Sequence, residues 1–259
     1  MSKPSILVRA LGALLLAAGP AFADTPPVQQ IVVAADLIRN PTVPFTTVIH
    51  ITEYRNKKVA DEGQITAFAK LNPQRGQYDS LVRIQEPTRD RGKLMLKNGN
   101  EIWFYDPATR AGMRISPQQR LLGQAANGDV VTVNLARDYE SRLVGEETVS
   151  DGGRAERKTW HVDLRATSDQ VTYPAISYWI ERDTHRPVKA QFYADSGRLL
   201  KTAYYRRFEE QLGQVRPTET VIVDGVDSQL VTVLRYSEYR GREIPESWLT
   251  REGMSLARE

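Results

Sequence analysis

No cysteine occurs in the 259 residues. Disulfides, thiolate nucleophiles and cysteine metal sites are excluded together, so the fold must be held by packing. Histidine is nearly as scarce, with His50, His161 and His185 the three copies. His50 and His161 fall within strand-like alternation and His185 beside a turn before Pro187. No His-Glu-x-x-His or comparable spacing joins them, so neither a metal site nor the base of a nucleophilic triad is expected. The chain also lacks a Gly-x-Ser-x-Gly elbow, a Gly-rich phosphate loop and a Gly-x-Gly-x-x-Gly turn; no cofactor and no catalytic residue is expected. The acid pairs Asp61-Glu62, Glu146-Glu147 and Glu209-Glu210 flank turns or strand ends, where solvation accounts for them. A hydrolase built on two such carboxylates is the least supported functional reading.

Charge of one sign is missing too. Lys and Arg number 35 against 32 Asp and Glu, a formal net charge of +3. Lys3 and Arg9, the only charges in the first 23 residues, take that to +1 when set aside. Nucleic acid is therefore not an expected partner. Long apolar runs are confined to residues 10–18, ahead of Gly19-Pro20 and the small-residue site Ala21-Phe22-Ala23. That run is shorter than the roughly 20 residues of a spanning helix. With Lys3 and Arg9 before it, it reads as a secretory signal peptide over residues 1–23, cleaved after Ala23. The expectation is a periplasmic chain that does not span a membrane, with a single domain over residues 24–259 and no internal repeat.

What is present is periodicity. Val28, Ile31, Val32, Ala35 and Ile38 share one helical face, which predicts an amphipathic helix over residues 28–39. Beyond Asn40-Pro41 the period drops to two. Phe45, Thr47, Ile49 and Ile51, then Ile65, Ala67, Ala69 and Leu71, predict a long hairpin around Asn56-Lys57. The alternation recurs through Val82 and Ile84; Ile102 and Phe104; Trp160, Val162 and Leu164; Ile176, Tyr178 and Ile180; and Val188, Ala190 and Phe192. Turn residues such as Asn98-Gly99-Asn100, Asp151-Gly152-Gly153 and Asp195-Ser196-Gly197 separate these runs. Their spacing favours consecutive antiparallel strands, about ten in all. The fold class is mainly β (α+β). Residues 116–143 break the pattern, with short helical pieces expected around 118–126 and 134–141; residues 244–249 predict a further short helix anchored by Trp248.

An antiparallel sheet of this length twists and curls, and its concave face needs covering. The first helix is the obvious plug, with residues 116–143 as a loosely packed lid. Val82, Ile84, Ile102, Phe104, Trp160, Val162, Ile176, Tyr178 and Phe192 would then line the concavity. Alternation alone leaves two readings open, a filled core and an apolar cavity that binds lipid.

A family resemblance bears on that choice. Leu94-Met95-Leu96-Lys97-Asn98-Gly99-Asn100-Glu101-Ile102 leads into Trp103-Phe104-Tyr105-Asp106-Pro107, which resembles the strand, turn and Trp-x-Tyr-x-Pro of the bacterial outer-membrane lipoprotein-sorting proteins. Tyr178-Trp179-Ile180, Pro187-Val188-Lys189, Phe192-Tyr193 and Gly197-Arg198-Leu199-Leu200-Lys201 resemble the paired strands of the same superfamily, in the same order. Arg91-Gly92-Lys93, Leu121-Leu122-Gly123 and Gly145-Glu146-Glu147 resemble its longer branch; Asn134-Leu135 departs from it, since an acidic residue is expected before that leucine. The resemblance implies a strongly curved antiparallel open half-barrel, with an N-terminal helix and a short helical lid over an apolar cavity. It also implies a noncatalytic periplasmic carrier of lipoprotein acyl chains or related lipids, moving them toward the outer membrane. The alternative is an accessory subunit of a resistance-nodulation-type exporter in the inner membrane, for which Trp103, Tyr105 and Trp179 would form an exposed aromatic patch.

Overall fold

The computed structural model describes residues 26–257. The expected signal peptide and its cleavage site lie outside them. The chain opens with helix α1 (Val28–Arg39). Pro27 sets its start and Asn40, ahead of Pro41, ends it, since a residue before proline is pushed into the extended region. Ile31, Val32, Ala35 and also Asp36 are buried, so the inward face carries one charge that the apolar spacing does not reveal.

Five antiparallel turns then build a meander: β1 (Phe45–Arg55), β2 (Lys58–Asn72), β3 (Gln77–Glu86), β4 (Leu94–Asn98), β5 (Glu101–Asp106) and β6 (Ala111–Ile115). A two-stranded hairpin follows, β7 (Arg120–Leu122) with β8 (Ala125–Ala126), and then the one-turn helix α2 (Leu135–Asp138). The second meander runs through β9 (Tyr139–Ser150), β10 (Glu156–Ala166), β11 (Ala175–Glu181), β12 (Pro187–Tyr193), β13 (Leu199–Gln211), β14 (Gln214–Asp224) and β15 (Leu230–Gly241). Thirteen strands form one sheet in the order β6-β5-β4-β3-β2-β1-β15-β14-β13-β12-β11-β10-β9. It is a curved, open, mostly β architecture.

Among the described residues the strands number fifteen, against about ten expected. β6 is exposed along most of its length, so no apolar alternation marks it. β7 and β8 are too short to carry a period. The helical piece expected at 118–126 is this hairpin, turned at Gly123 with φ +56, where a side chain would meet Thr232 Oγ1 at 2.4 Å. The piece expected at 134–141 is helical only over Leu135–Asp138; from Tyr139 the chain is already β9.

Topology fixes what residues 116–138 must do. β6 and β9 are opposite edges of the sheet, and this segment joins them. Thirteen strands laid flat at about 4.8 Å would separate those edges by more than 50 Å. A connection of roughly two dozen residues that also folds back in a hairpin and a helical turn falls short of that reach. The sheet therefore has to curve, and the segment has to cross its concave face. Ala125, Val130, Val131 and Leu135 are buried there, in one apolar cluster with α1 and the inward residues of the strands. The lid is well packed, not loose as expected.

The convex face has its own cover. Ile244, Leu249, Met254 and Ala257 pack on Phe68, Leu81, Leu94 and Leu96, so the middle of β2, β3 and β4 is covered on both sides, and consecutive residues such as Leu81-Val82 and Leu94-Met95-Leu96 are buried together. The turn at Glu246–Leu249 is a short 3-10 helix. Leu249 and Ile244 are its buried anchors, while Trp248 is partly buried and meets Phe68 edge-on at 5.8 Å.

Candidate functional site

A cavity of about 150 Å³ lies between the concave face, the end of α1 and the lid. Ile49, Ala67, Ile176, Phe192, Ala203, Ile222 and Leu234 of the sheet line one wall; Arg39 and Asn40 the end of α1; residues 128–133 and Leu135 the lid side. Ile176 and Phe192 are thus the two residues of the expected lipid-binding set that line it. Val82, Ile84, Ile102, Trp160, Val162 and Tyr178 are buried in the same apolar cluster without lining the cavity, and Phe104 is partly buried against that cluster.

Sequence reasoning missed the polar part of the lining. Lys201, Tyr139, Tyr173, Tyr205, Tyr236 and Arg39 all face the cavity. The signal was present: Lys201, Ala203 and Tyr205 alternate on β13, which puts the lysine on the same inward face as its apolar neighbours. Arg39 likewise follows Ala35 and Asp36 by one helical turn. Burial pushes the phenols of Tyr139, Tyr173, Tyr205 and Tyr236 up, Tyr236 to about 12. At neutral pH they are uncharged O–H groups. Burial also raises the Asp138 carboxyl.

Two buried ion pairs hold the lid. Lys201 pairs with Asp129, which also accepts from Tyr173 Oη at 2.9 Å and from the Ala126 N–H at 2.7 Å. Lys201 Nζ donates to Gln124 O at 3.2 Å and lies 4.9 Å from the centre of the Tyr173 ring. At the other end Arg39 donates to Asp36 at 2.7 Å and to Val133 O at 2.9 Å. Asn40 Nδ2 donates to Val133 O at 2.8 Å, and Asp36 accepts the Ala136 N–H at 2.8 Å. Burial opposes the Arg39 charge, but Asp36 and the nearby phenols outweigh it and its pKa is raised. Asn134, where the resemblance expects an acid, has its N–H on Gln77 Oε1 at 2.8 Å and donates through Nδ2 to Gly76 O at 2.9 Å. An acid there could not supply the second bond.

The histidines are placed structurally. His161 stacks on Trp179 at 4.4 Å and His185 lies 5.3 Å from Trp160. Among the described residues no group of three or more His, Asp or Glu is arranged to hold a metal ion, and no helix is long and apolar enough to cross a membrane. The expected aromatic patch is covered. Trp103 and Tyr105 pack under the C-terminal segment, and Trp179 is buried between His161 and Lys189 with its Nε1 on Glu147 at 2.8 Å.

A family model described as "Uncharacterized protein" matches residues 76–255. No curated protein matches the chain. Among solved structures, a LolA superfamily protein from Nitrosomonas europaea is 33% identical, with 87% of this chain and 98% of that chain covered and a TM-score of 0.77. A DUF1329 family protein from Desulfovibrio piger is 20% identical over 88% of this chain and 98% of its own, with a TM-score of 0.72. A domain from Vibrio parahaemolyticus, described as outer membrane lipoprotein-sorting, is 15% identical over 88% and 97%, with a TM-score of 0.72. The last two show the fold alone.

Proposed function

The chain belongs to the LolA superfamily, and from that premise we propose that it is a noncatalytic periplasmic carrier, holding acyl chains of lipoproteins or related lipids on their way to the outer membrane. The observation that carries this reading is the cavity between the concave sheet face, α1 and the lid. Each methylene buried there contributes about 0.8 kcal/mol. A carrier must bind tightly enough to take a chain from one membrane and weakly enough to release it to another. A cavity interrupted by lysine, arginine and tyrosine groups meets that need better than a wholly apolar one, since the polar wall lowers the gain per chain.

Its size adds a condition. A space of about 150 Å³ is enough for a benzene-sized guest, and a lipid acyl chain is several times larger. On this reading loading has to enlarge the cavity, which moves the lid away from the sheet. Native mass spectrometry of the protein purified from the periplasm, with extraction and identification of bound lipid, tests the reading. A discrete acylated adduct is the expected result. Protein that is reproducibly empty and takes up no added lipid would refute it.

A further inference from the structure

A second recess lies on the other side of the sheet. Lys201, Ala203 and Tyr205 line the cavity from β13, and the alternation turns Arg206 to the opposite face. Arg207 follows in the left-handed region, at φ +50, where residues other than glycine are uncommon. That break in the alternation lets both arginines reach one carboxylate. Glu219, buried on the neighbouring β14, lies 3.4 Å from Arg206 Nε, 3.2 Å from Arg207 Nε and 3.1 Å from Arg235 Nε.

Beside these arginines is a cleft of about 350 Å³, bounded by β13, the start of β12 and the turn that joins β9 to β10. Gly152 lets that turn come close to β13, since a side chain there would meet Arg206 Cδ at 2.7 Å and Tyr204 Cβ at 3.0 Å. Arg186 brings a third guanidinium to the cleft, 5.1 Å from the centre of the Phe208 ring and with no carboxylate within ion-pair distance among the described residues. Stacking on a ring uses the face of a guanidinium and leaves its in-plane N–H groups available. Asp151 and Glu181 also line the cleft, but Arg157 takes up both, at 2.9 and 3.4 Å, and Asp151 accepts the N–H groups of Gly153 and Ala155 as well. Glu209 and Glu210, next on β13, do not line it.

Five guanidiniums, those of Arg157, Arg186, Arg206, Arg207 and Arg235, thus share the three carboxylates of Asp151, Glu181 and Glu219. Glu219 meets Arg206 and Arg207 through Nε, so their terminal Nη groups, and the guanidinium edge of Arg186, remain for another acceptor. We propose that this cleft, walled by Arg186, Arg206 and Arg207, binds a phosphate group. Phosphate carries oxygens on every side and accepts from several guanidinium forks at once, whereas a carboxylate presents a single plane. The same chemistry is offered by the head group of an anionic phospholipid and by a soluble phosphate ester. The site lies across the sheet from the acyl cavity and does not rest on the carrier reading.

The test titrates the protein purified from the periplasm, at fixed ionic strength, with glycerol phosphate by calorimetry and with phosphatidylglycerol vesicles by co-sedimentation. Binding of at least one probe is expected, weakened about tenfold when Arg186→Gln and Arg207→Gln are combined. It should be unchanged in Arg89→Gln, which removes an exposed arginine between β3 and β4. Arg206 and Arg235 still hold Glu219 in the double variant, so its melting temperature should match that of the wild type. Vesicle binding without glycerol phosphate binding assigns the site to a lipid head group, the reverse assigns it to a soluble ester, and binding of both assigns it to the phosphate alone. Binding of neither probe overturns the proposal, as does equal weakening by Arg89→Gln or full binding by a folded double variant. Should the double variant not fold, Arg186→Gln alone decides, since it breaks no ion pair: a severalfold loss supports the site and no loss overturns it. Acyl binding in the cavity is read separately, by the bound-lipid measurement, and stands or falls on that result.

Discussion

Lys97 shows how a single buried charge sets a pH dependence. It lies on β4, 5% exposed, with Nζ donating to Tyr78 O at 2.9 Å. Burial pulls its pKa down to about 8 against the pull of Asp138 and Asp79, from an ordinary value of 10.5. Below pH 8 both folded and unfolded chains carry the proton and the full cost of burying the charge is present. Between about 8 and 10.5 the folded protein has lost the proton and the unfolded chain still holds it, so stability rises with pH across that window. The gain is complete above 10.5 and disappears as pH falls through 8, a span worth about 3 kcal/mol. Urea denaturation at pH 7.5 and at pH 10 should show about 2 kcal/mol of this increment in the wild-type protein and none of it in Lys97→Met. An equal response of the two proteins would mean that Lys97 is not the group responsible. In the sequence Lys97 looks like a solvated strand end beside Asn98-Gly99, and nothing in the alternation marks it as buried. Its burial comes from its position between two covered faces of the sheet.

At the level of elements, the convex cover is the clearest departure from what period two can tell. Alternation assigns one apolar face per strand, but Leu81 and Val82, and Leu94, Met95 and Leu96, are buried on both sides of β3 and β4. The second face is closed by residues 244–257, far away in sequence, whose apolar residues have no period that announces a destination. Ending the chain after Gly241 should expose Phe68, Leu81, Leu94 and Leu96 together with Trp103 and Tyr105, a patch large enough to associate. Binding of an apolar dye should increase severalfold and sedimentation should show self-association. Unchanged dye binding would mean that the segment is a dispensable appendage. By contrast α1 and the first hairpin were legible to within a residue or two, because each is a local pattern closed by its own punctuation: Asn40-Pro41 for the helix, Asn56-Lys57 for the turn. The lid was legible as a break in the strands, but its conformation was not. Its short pieces are held by distant partners, Lys201 for Asp129 and Gln77 for Asn134, and have little preference of their own.

The connectivity of the whole molecule makes the lid a strap held at two anchors, the Lys201–Asp129 pair and the end of α1. Because β1 pairs with β15, the two meanders form one continuous sheet whose free edges are joined only through residues 116–138, and any opening of the cavity has to displace that strap or α1. Of the candidate cavity, the sequence disclosed the inward parity of its apolar walls but not which inward residues bound empty space and which fill the core. That distinction depends on where the strap crosses, which is set by distances between strands more than a hundred residues apart. The crossing is pinned beside α1, where Asn40 Nδ2 and Arg39 Nη2 both donate to Val133 O. A covalent tie at that point should therefore block loading, and because Asn40 and Val133 both line the cavity the reduced form of the same protein is the control for the altered wall. Since the chain contains no cysteine, a protein carrying Asn40→Cys and Val133→Cys has only the introduced thiols to react. Joined by oxidation or a short dithiol crosslinker, it should lose uptake of fluorescent fatty acid by at least tenfold, and reduction of the disulfide form should restore it, with the circular dichroism spectrum unchanged throughout. Uptake at the full rate in the tied protein would place the entry route elsewhere, between the free edges of β6 and β9, and would make the strap a fixed wall of the cavity.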